Sequence, residues 1–183
     1  MVKKRMAILV VTMCFFMFVI SGCKGEKREF LDYQQGLFEA YGTLEINSEK
    51  YSVYINKQAQ DTYKISFDKP DNLKGVAIEK CGENVIYSVG SVHIPIKEGT
   101  NITAESLKLF ELSKDRLILS EETNYNGVKV NIKQFDSDIG GVKLYLLSET
   151  LLPIRIEAEI NGVNVVMSFS SFNIIESINE SDA

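Results

Sequence analysis

Ile154-Arg155-Ile156-Glu157-Ala158-Glu159-Ile160-Asn161-Gly162-Val163-Asn164-Val165-Val166-Met167-Ser168-Phe169 carries the signals that decide the fold. On both sides of Asn161-Gly162, β-branched and apolar residues are interleaved with polar ones. Asn-Gly supplies the left-handed backbone that a two-residue hairpin needs. Two antiparallel strands follow, over 154–160 and 163–172, with Pro153 at the entrance to the first. The same signal stands upstream at Asn126-Gly127, between strands over 121–125 and 128–135. Asp136-Ser137-Asp138-Ile139-Gly140-Gly141 reads as a wide turn into a strand over 142–147.

Further out, Leu44-Glu45-Ile46, Tyr51-Ser52-Val53-Tyr54-Ile55 and Tyr63-Lys64-Ile65-Ser66-Phe67 continue the period of two. Asn47-Ser48-Glu49-Lys50 turns the first into the second, and residues 56–61 separate the second from the third. Pro70-Asp71-Asn72-Leu73-Lys74-Gly75 breaks the ladder, because proline has no N–H to give. Strands over 76–81 and 84–89 meet at Gly82-Glu83. Pro95 confines the strand over 92–96 to a sheet edge, where Val92, His93, Ile94 and Ile96 offer a place for a partner strand to add.

Two stretches depart from this period. Thr103 can cap a helix over 103–113, with Glu105 in its first turn and Leu107, Phe110 and Leu117 as an approximate apolar stripe. Residues 116–119 either continue that helix or open the next strand. Phe30, Tyr33, Gln34 and Leu37 fall at helical spacing and predict a short amphipathic helix over 26–38, which Gly36 weakens. The class is α+β and mainly β: a large antiparallel sheet of about ten strands that two helices must cover.

At the amino terminus, Lys3, Lys4 and Arg5 precede an apolar run of about fifteen residues, short of the roughly twenty that span a bilayer. Val19-Ile20-Ser21-Gly22-Cys23 closes it as a bacterial lipobox, whose small residues fit a peptidase cleft and whose cysteine takes the lipid. The division is therefore a signal peptide (1–22), acylated Cys23 with a polar spacer and the first helix (23–40), one domain (41–175) and a polar tail (176–183). Two or three acyl chains at about 0.8 kcal/mol per buried methylene hold such a protein on the outer face of the cell membrane.

Cleavage removes three basic side chains and no acidic one, so the net charge moves from −5 to −8. An acidic domain is a poor ligand for nucleic acid or anionic lipid. Cys14 leaves with the signal and Cys23 is acylated, so Cys81 has no partner for an intramolecular disulfide. Cys81 reads as a small apolar residue at a strand end, with only Lys80 nearby to activate a thiol. His93, the one histidine, reads as an edge-strand surface residue rather than a base. Asp136 and Asp138 stand at alternating positions as in calcium loops, but the later glutamate is missing and the same residues suit a turn. Glu121 with Glu122, and Glu105 with Glu111, do not converge as glycosidase pairs do and read as solvated surface. No metal, cofactor or catalytic set is expected.

Three pieces carry a family likeness. Tyr63-Lys64-Ile65-Ser66-Phe67 with Pro70 and Leu73-Lys74-Gly75-Val76 resembles the first half of the LolA and RseB superfamily. Tyr145-Leu146-Leu147 with Leu151-Leu152-Pro153, and Asn161-Gly162 with Ser168-Phe169-Ser170-Ser171-Phe172, resemble its last two hairpins. That resemblance implies a curved, incomplete barrel wrapped around helices, with an apolar cleft. Within the superfamily the chain is most similar to lipid-anchored clostridial lipoproteins such as the germination lipoprotein GerS, which implies a non-enzymatic module that binds an envelope or spore-cortex enzyme. The alternative is a tethered carrier or sensor of an apolar or acyl ligand. A chain acylated at Cys23 cannot shuttle between membranes as soluble LolA carriers do.

Overall fold

The computed structural model describes residues 31–175 except 98, 113 and 114. Cys23, the signal sequence, the first part of the helix expected over 26–38 and the tail at 176–183 lie outside the described residues. The chain runs α1 (Asp32–Gln35), β1 (Leu37–Ile46), β2 (Glu49–Ala59), β3 (Thr62–Lys69), a 3-10 turn (Asp71–Leu73), β4 (Val76–Cys81), β5 (Asn84–Val89) and β6 (Val92–Ile96). It continues with α2 (Ile102–Ser106), a 3-10 turn (Leu107–Phe110), β7 (Arg116–Tyr125), β8 (Val128–Ser137), β9 (Gly140–Leu147), β10 (Pro153–Ile160) and β11 (Val163–Ile175).

The strands form one antiparallel sheet in the order β6-β5-β4-β3-β2-β1-β11-β10-β9-β8-β7. Two meanders, β1–β6 and β7–β11, are joined at the centre where β1 pairs with β11. β6 and β7 are consecutive among the strands yet stand at opposite edges, so residues 97–115 must cross the sheet. They cross its inner face, because Ala104, Leu107, Leu109, Phe110 and Leu112 are all buried. Phe110 lies 5.1 Å from Phe38 of β1, 6.2 Å from Tyr63 of β3 and 6.1 Å from Phe169 of β11, measured between ring centroids.

The crossing fixes the curvature. α2 touches both β4 and β10, which are five steps apart in the sheet, about 24 Å if it were flat at roughly 4.8 Å per step. A helix about 10 Å across reaches both only when the sheet curls around it. A bulge at the centre helps: Tyr41 pairs with Ser171 but Gly42 with Phe169, which leaves Ser170 as an extra residue. β1 and β11 approach so closely there that a Cβ on Gly42 would stand 2.2 Å from the Ser168 carbonyl oxygen. Only glycine fits.

Asn126-Gly127 and Asn161-Gly162 both have positive φ at the two central positions, as the hairpin reading requires. Other expectations need correction. The sheet has eleven strands rather than about ten, and the helices are short. α1 is a single turn, because Gly36 is extended and β1 already begins at Leu37, where Phe38 and Ala40 alternate inward with Glu39 facing out. The second helix is capped by Asn101 rather than Thr103: its side chain accepts from the Thr103 and Ala104 N–H groups at 2.9 and 3.1 Å. It gives way to the 3-10 turn after Ser106, and Arg116 opens β7. β2 and β3 are joined by Gln60-Asp61 alone, and β8 and β9 by Asp138-Ile139 alone, tighter than the turns expected over 56–61 and 136–141.

Candidate functional site

β6 is the last strand of the sheet and pairs on one side only, with β5. The register Val85·Ile96, Tyr87·Ile94 and Val89·Val92 puts these six side chains on the inner face; Ser88·His93 and Ile86·Pro95 face outward. Val92 is 57% exposed, Ile94 49% and Val89 45%, while Val85 is buried. An apolar strip thus leads from the core to the edge and ends in the open. Since Pro95 has no N–H, its position suits a pair that exchanges no ladder bonds. By alternation, the backbone of His93 and the Pro95 carbonyl face the unpaired side.

Beside this strip the inner face opens into an apolar cleft of about 240 Å³, walled by Tyr51, Phe67, Leu73, Val76, Tyr87 and Ile102. Each wall has a local cause. Tyr51, Phe67 and Val76 are inward positions near the ends of their strands, and Tyr51 meets Phe67 edge-on at 5.9 Å. Leu73 is carried by the 3-10 turn after Pro70, and Ile102 opens α2. Tyr87 belongs to both features: it lines the cleft and pairs with Ile94 across the β5–β6 ladder. Asn101 and Thr103 give the cleft its polar rim.

At the other end of the crossing segment lies a polar cleft of about 400 Å³, bounded by Asp61, Lys80, Glu83, Glu111, Asp115 and Asp138 among others. Lys80 is buried and pairs with Glu111 at 3.2 Å. Glu105 is only 4% exposed; it accepts the Gly99 N–H at 2.8 Å and pairs with Lys108 at 2.9 Å. Glu105 and Glu111 are therefore structural ion-pair partners rather than the solvated surface expected of them. Burial pushes the Asp115 carboxyl above the usual carboxylate range, with the charges of Asp138, Asp136 and Glu111 adding and a hydrogen bond from Ser137 opposing. Asp136 pairs with Arg116 at 2.9 Å. Among the described residues no group of three or more His, Cys, Asp or Glu side chains is placed to hold a metal ion.

Cys81 is exposed rather than packed as a small apolar residue, and its sulfur accepts from the Thr62 hydroxyl at 3.4 Å. Cys81 is the last residue of β4, paired with Thr62 and Asn84, and by alternation its side chain faces away from the side on which Lys80 is buried. Cys23 lies outside the described residues. Lys57 went unnoticed in the sequence. It is 2% exposed, donates to the Gln34 carbonyl at the end of α1, and stands 5.7 Å from the Tyr63 ring centre. Burial lowers the pKa of its amine. The signal was present: Val53, Ile55 and Lys57 share one parity of β2, so the lysine had to follow the two core residues inward.

Solved structures of similar shape are known. An uncharacterized conserved protein from Thermus thermophilus matches with a TM-score of 0.53 at 14% identity, over 80% of this chain and 83% of that one. A LolA superfamily protein from Nitrosomonas europaea matches with 0.49 at 11% identity, over 80% and 92%. The lipoprotein LppX of Mycobacterium tuberculosis matches with 0.46 at 9%, over 81% and 93%. The first of these identifies a shared fold and nothing more. No protein-family model and no curated protein sequence matches the chain.

Proposed function

We propose that the chain is a lipid-anchored, extracytoplasmic, non-enzymatic binding module that receives an extended segment of a partner protein on β6. The observation that carries this reading is the continuity of the apolar cleft with an unpaired, uncharged sheet edge. Strand addition needs free backbone groups for affinity and pockets for alternate side chains for specificity. β6 offers the first through His93 and Pro95, and the cleft offers the second. Its size supports this reading: at about 240 Å³ it falls below the roughly 300–1,000 Å³ of small-molecule sites. One or two apolar side chains fit it better than a whole acyl chain. The partner class that the sequence resemblance implies is an envelope or spore-cortex enzyme, and the tether at Cys23 would hold that enzyme at the membrane.

A photo-crosslinking residue at Ile94 of the full-length protein, expressed in its own cells, tests the reading. One protein partner should be captured from Ile94, lost on Tyr87→Lys, and not captured from Thr123 on the opposite edge. Equal capture from both edges would sink it. The apolar lining also favours a second reading, a tethered carrier of a short acyl or other apolar ligand. Native mass spectrometry of the detergent-extracted protein should then show a co-purified lipid that Tyr87→Lys removes.

A further inference from the structure

The outer face of the central strands holds a dent that partner binding on β6 does not use. It has a volume of about 360 Å³ and lies at the β1–β11 bulge, bounded by Tyr41, Thr43, Ser52, Ser168 and Ser170 with the backbone of Gly42 as part of its floor. The dent sits at the bulge: Ser170, the extra residue of β11, donates from its hydroxyl to the Tyr41 carbonyl at 3.0 Å, and Gly42 contributes no side chain to fill the space. Tyr41 forms one wall. It is 46% exposed although aromatic, and it leans on Tyr54 at a centroid distance of 4.6 Å. Tyr54 is in turn held by its hydroxyl donating to Glu39 at 3.2 Å.

Across the dent runs a rung of three hydroxyls. Thr43 is directly opposite Ser52 on one side and Ser168 on the other, so the three stand on one face of adjacent strands at intervals of about 4.8 Å. The hydroxyl of Ser168 accepts from Arg155 at 2.9 Å, which leaves its own proton to give. Those of Thr43 and Ser52 bond to no other described residue. Both capacities, to donate and to accept, are therefore on offer beside the half-exposed Tyr41 ring, and none of the side chains that line the dent, Val53 and Phe169 included, is charged.

This combination narrows the ligand by chemistry. Every strand here is paired on both sides, so no peptide can add as a strand. A hydrocarbon would strand the hydroxyls without partners, which is costly. An anion finds no cation in the lining itself: Arg155 is already engaged by Glu157 at 2.6 Å as well as by Ser168, and Lys69, the strand partner of Ser52, is exposed and stands outside the residues that bound the dent. A neutral, polyhydroxylated ring satisfies both halves: its C–H face lies on Tyr41 and its equatorial hydroxyls meet the rung. We infer that the dent at the β1–β11 bulge binds a neutral glycan, with Tyr41 as the stacking platform and Ser52, Thr43 and Ser168 as the hydrogen-bonding rung.

The test is calorimetric titration of the full-length protein, in a detergent without a sugar headgroup, with β-1,4-linked tetramers of glucose and of N-acetylglucosamine. At least one tetramer should bind saturably. Tyr41→Ala should weaken it by up to roughly tenfold, the value of a good aromatic contact, and Thr43→Val, which keeps shape and strand propensity, by about twofold or more. Tyr41→Phe should retain binding and report that the fold is intact. Ile94→Lys on β6 should leave binding unchanged, which separates this site from the partner edge. Absence of saturable binding by both tetramers overturns the inference. So does binding that Tyr41→Ala leaves unchanged, since the glycan would then sit elsewhere.

Discussion

The two edges of the sheet meet the same problem and solve it differently. Each is a strand with unpaired backbone groups, a standing invitation to another chain. β7 is ten residues long and defended: Glu121 and Glu122 stand on it, Arg116 pairs with Asp136 and Lys129 reaches Glu122 at 3.7 Å. A register shift between Leu117 and Leu119 further spoils it as a template. β6 is five residues long and carries no carboxylate, lysine or arginine. Its defences are brevity and Pro95, while Val92 and Ile94 stay exposed. Both edges expose apolar side chains, Ile118 and Leu119 on β7 and Val92 and Ile94 on β6, but only on β7 do carboxylates and ion pairs stand among them, and the proposed docking on β6 rests on that difference.

The comparison presumes that both edges belong to one cooperative body, and Phe110 is the place to break it. Its ring touches β1 and β3 of the first meander and β11 of the second. It is fully buried. Phe110→Ala should cost about 3–5 kcal/mol and lower Tm by on the order of 10 °C in a single transition. Two separate transitions in calorimetry would mean that the meanders, and hence the edges, are independent.

A smaller effect sharpens the contrast between the edges. Ile94→Lys adds to β6 the kind of charge β7 already has. Being at an exposed site, it should change stability by less than about 0.5 kcal/mol. Partner binding, measured by the yield of crosslinking from a neighbouring position, should fall by tenfold or more. Thr123→Lys on β7 should do neither. If both lysines weaken binding equally, net charge and not the edge is being read.

How much of this was legible in the sequence depends on range. Asn126-Gly127 and Asn161-Gly162 state their hairpins locally, and Pro95 announces an edge because a missing N–H is a property of one residue. The closure of β1 on β11 was not written in any window of the chain, since Gly42 shows its purpose only when Ser168 is beside it. The helices were overread for a related reason. Leu107, Leu109, Phe110 and Leu112 are buried all round by a sheet that curls over them, so tertiary contact rather than helical periodicity chose their spacing. The cleft and the edge strip were visible only as separate apolar residues. What joins them is the register that sets Tyr87 against Ile94.

The smallest predicted effect concerns the segment that feeds the guarded edge. Asp115 immediately precedes β7 and faces the polar cleft, where burial first, and then Asp138, Asp136 and Glu111, raise its pKa in the folded protein. A carboxyl whose folded pKa lies above its unfolded value binds its proton more tightly when folded, so its contribution to stability declines as pH rises through the window between the two. Below the ordinary carboxylate range the penalty is absent; above the raised pKa it is fully present. Asp115→Asn should therefore stabilise the protein at neutral pH and leave it unchanged near pH 3, by denaturant titration at both. The hydrogen bond from Ser137 to the carboxylate works against this, because the amide substitutes for it imperfectly. If Asp115→Asn destabilises at neutral pH, that bond outweighs the burial and repulsion, and the entrance to β7 is held by polar contact just as its exposed face is guarded by charge.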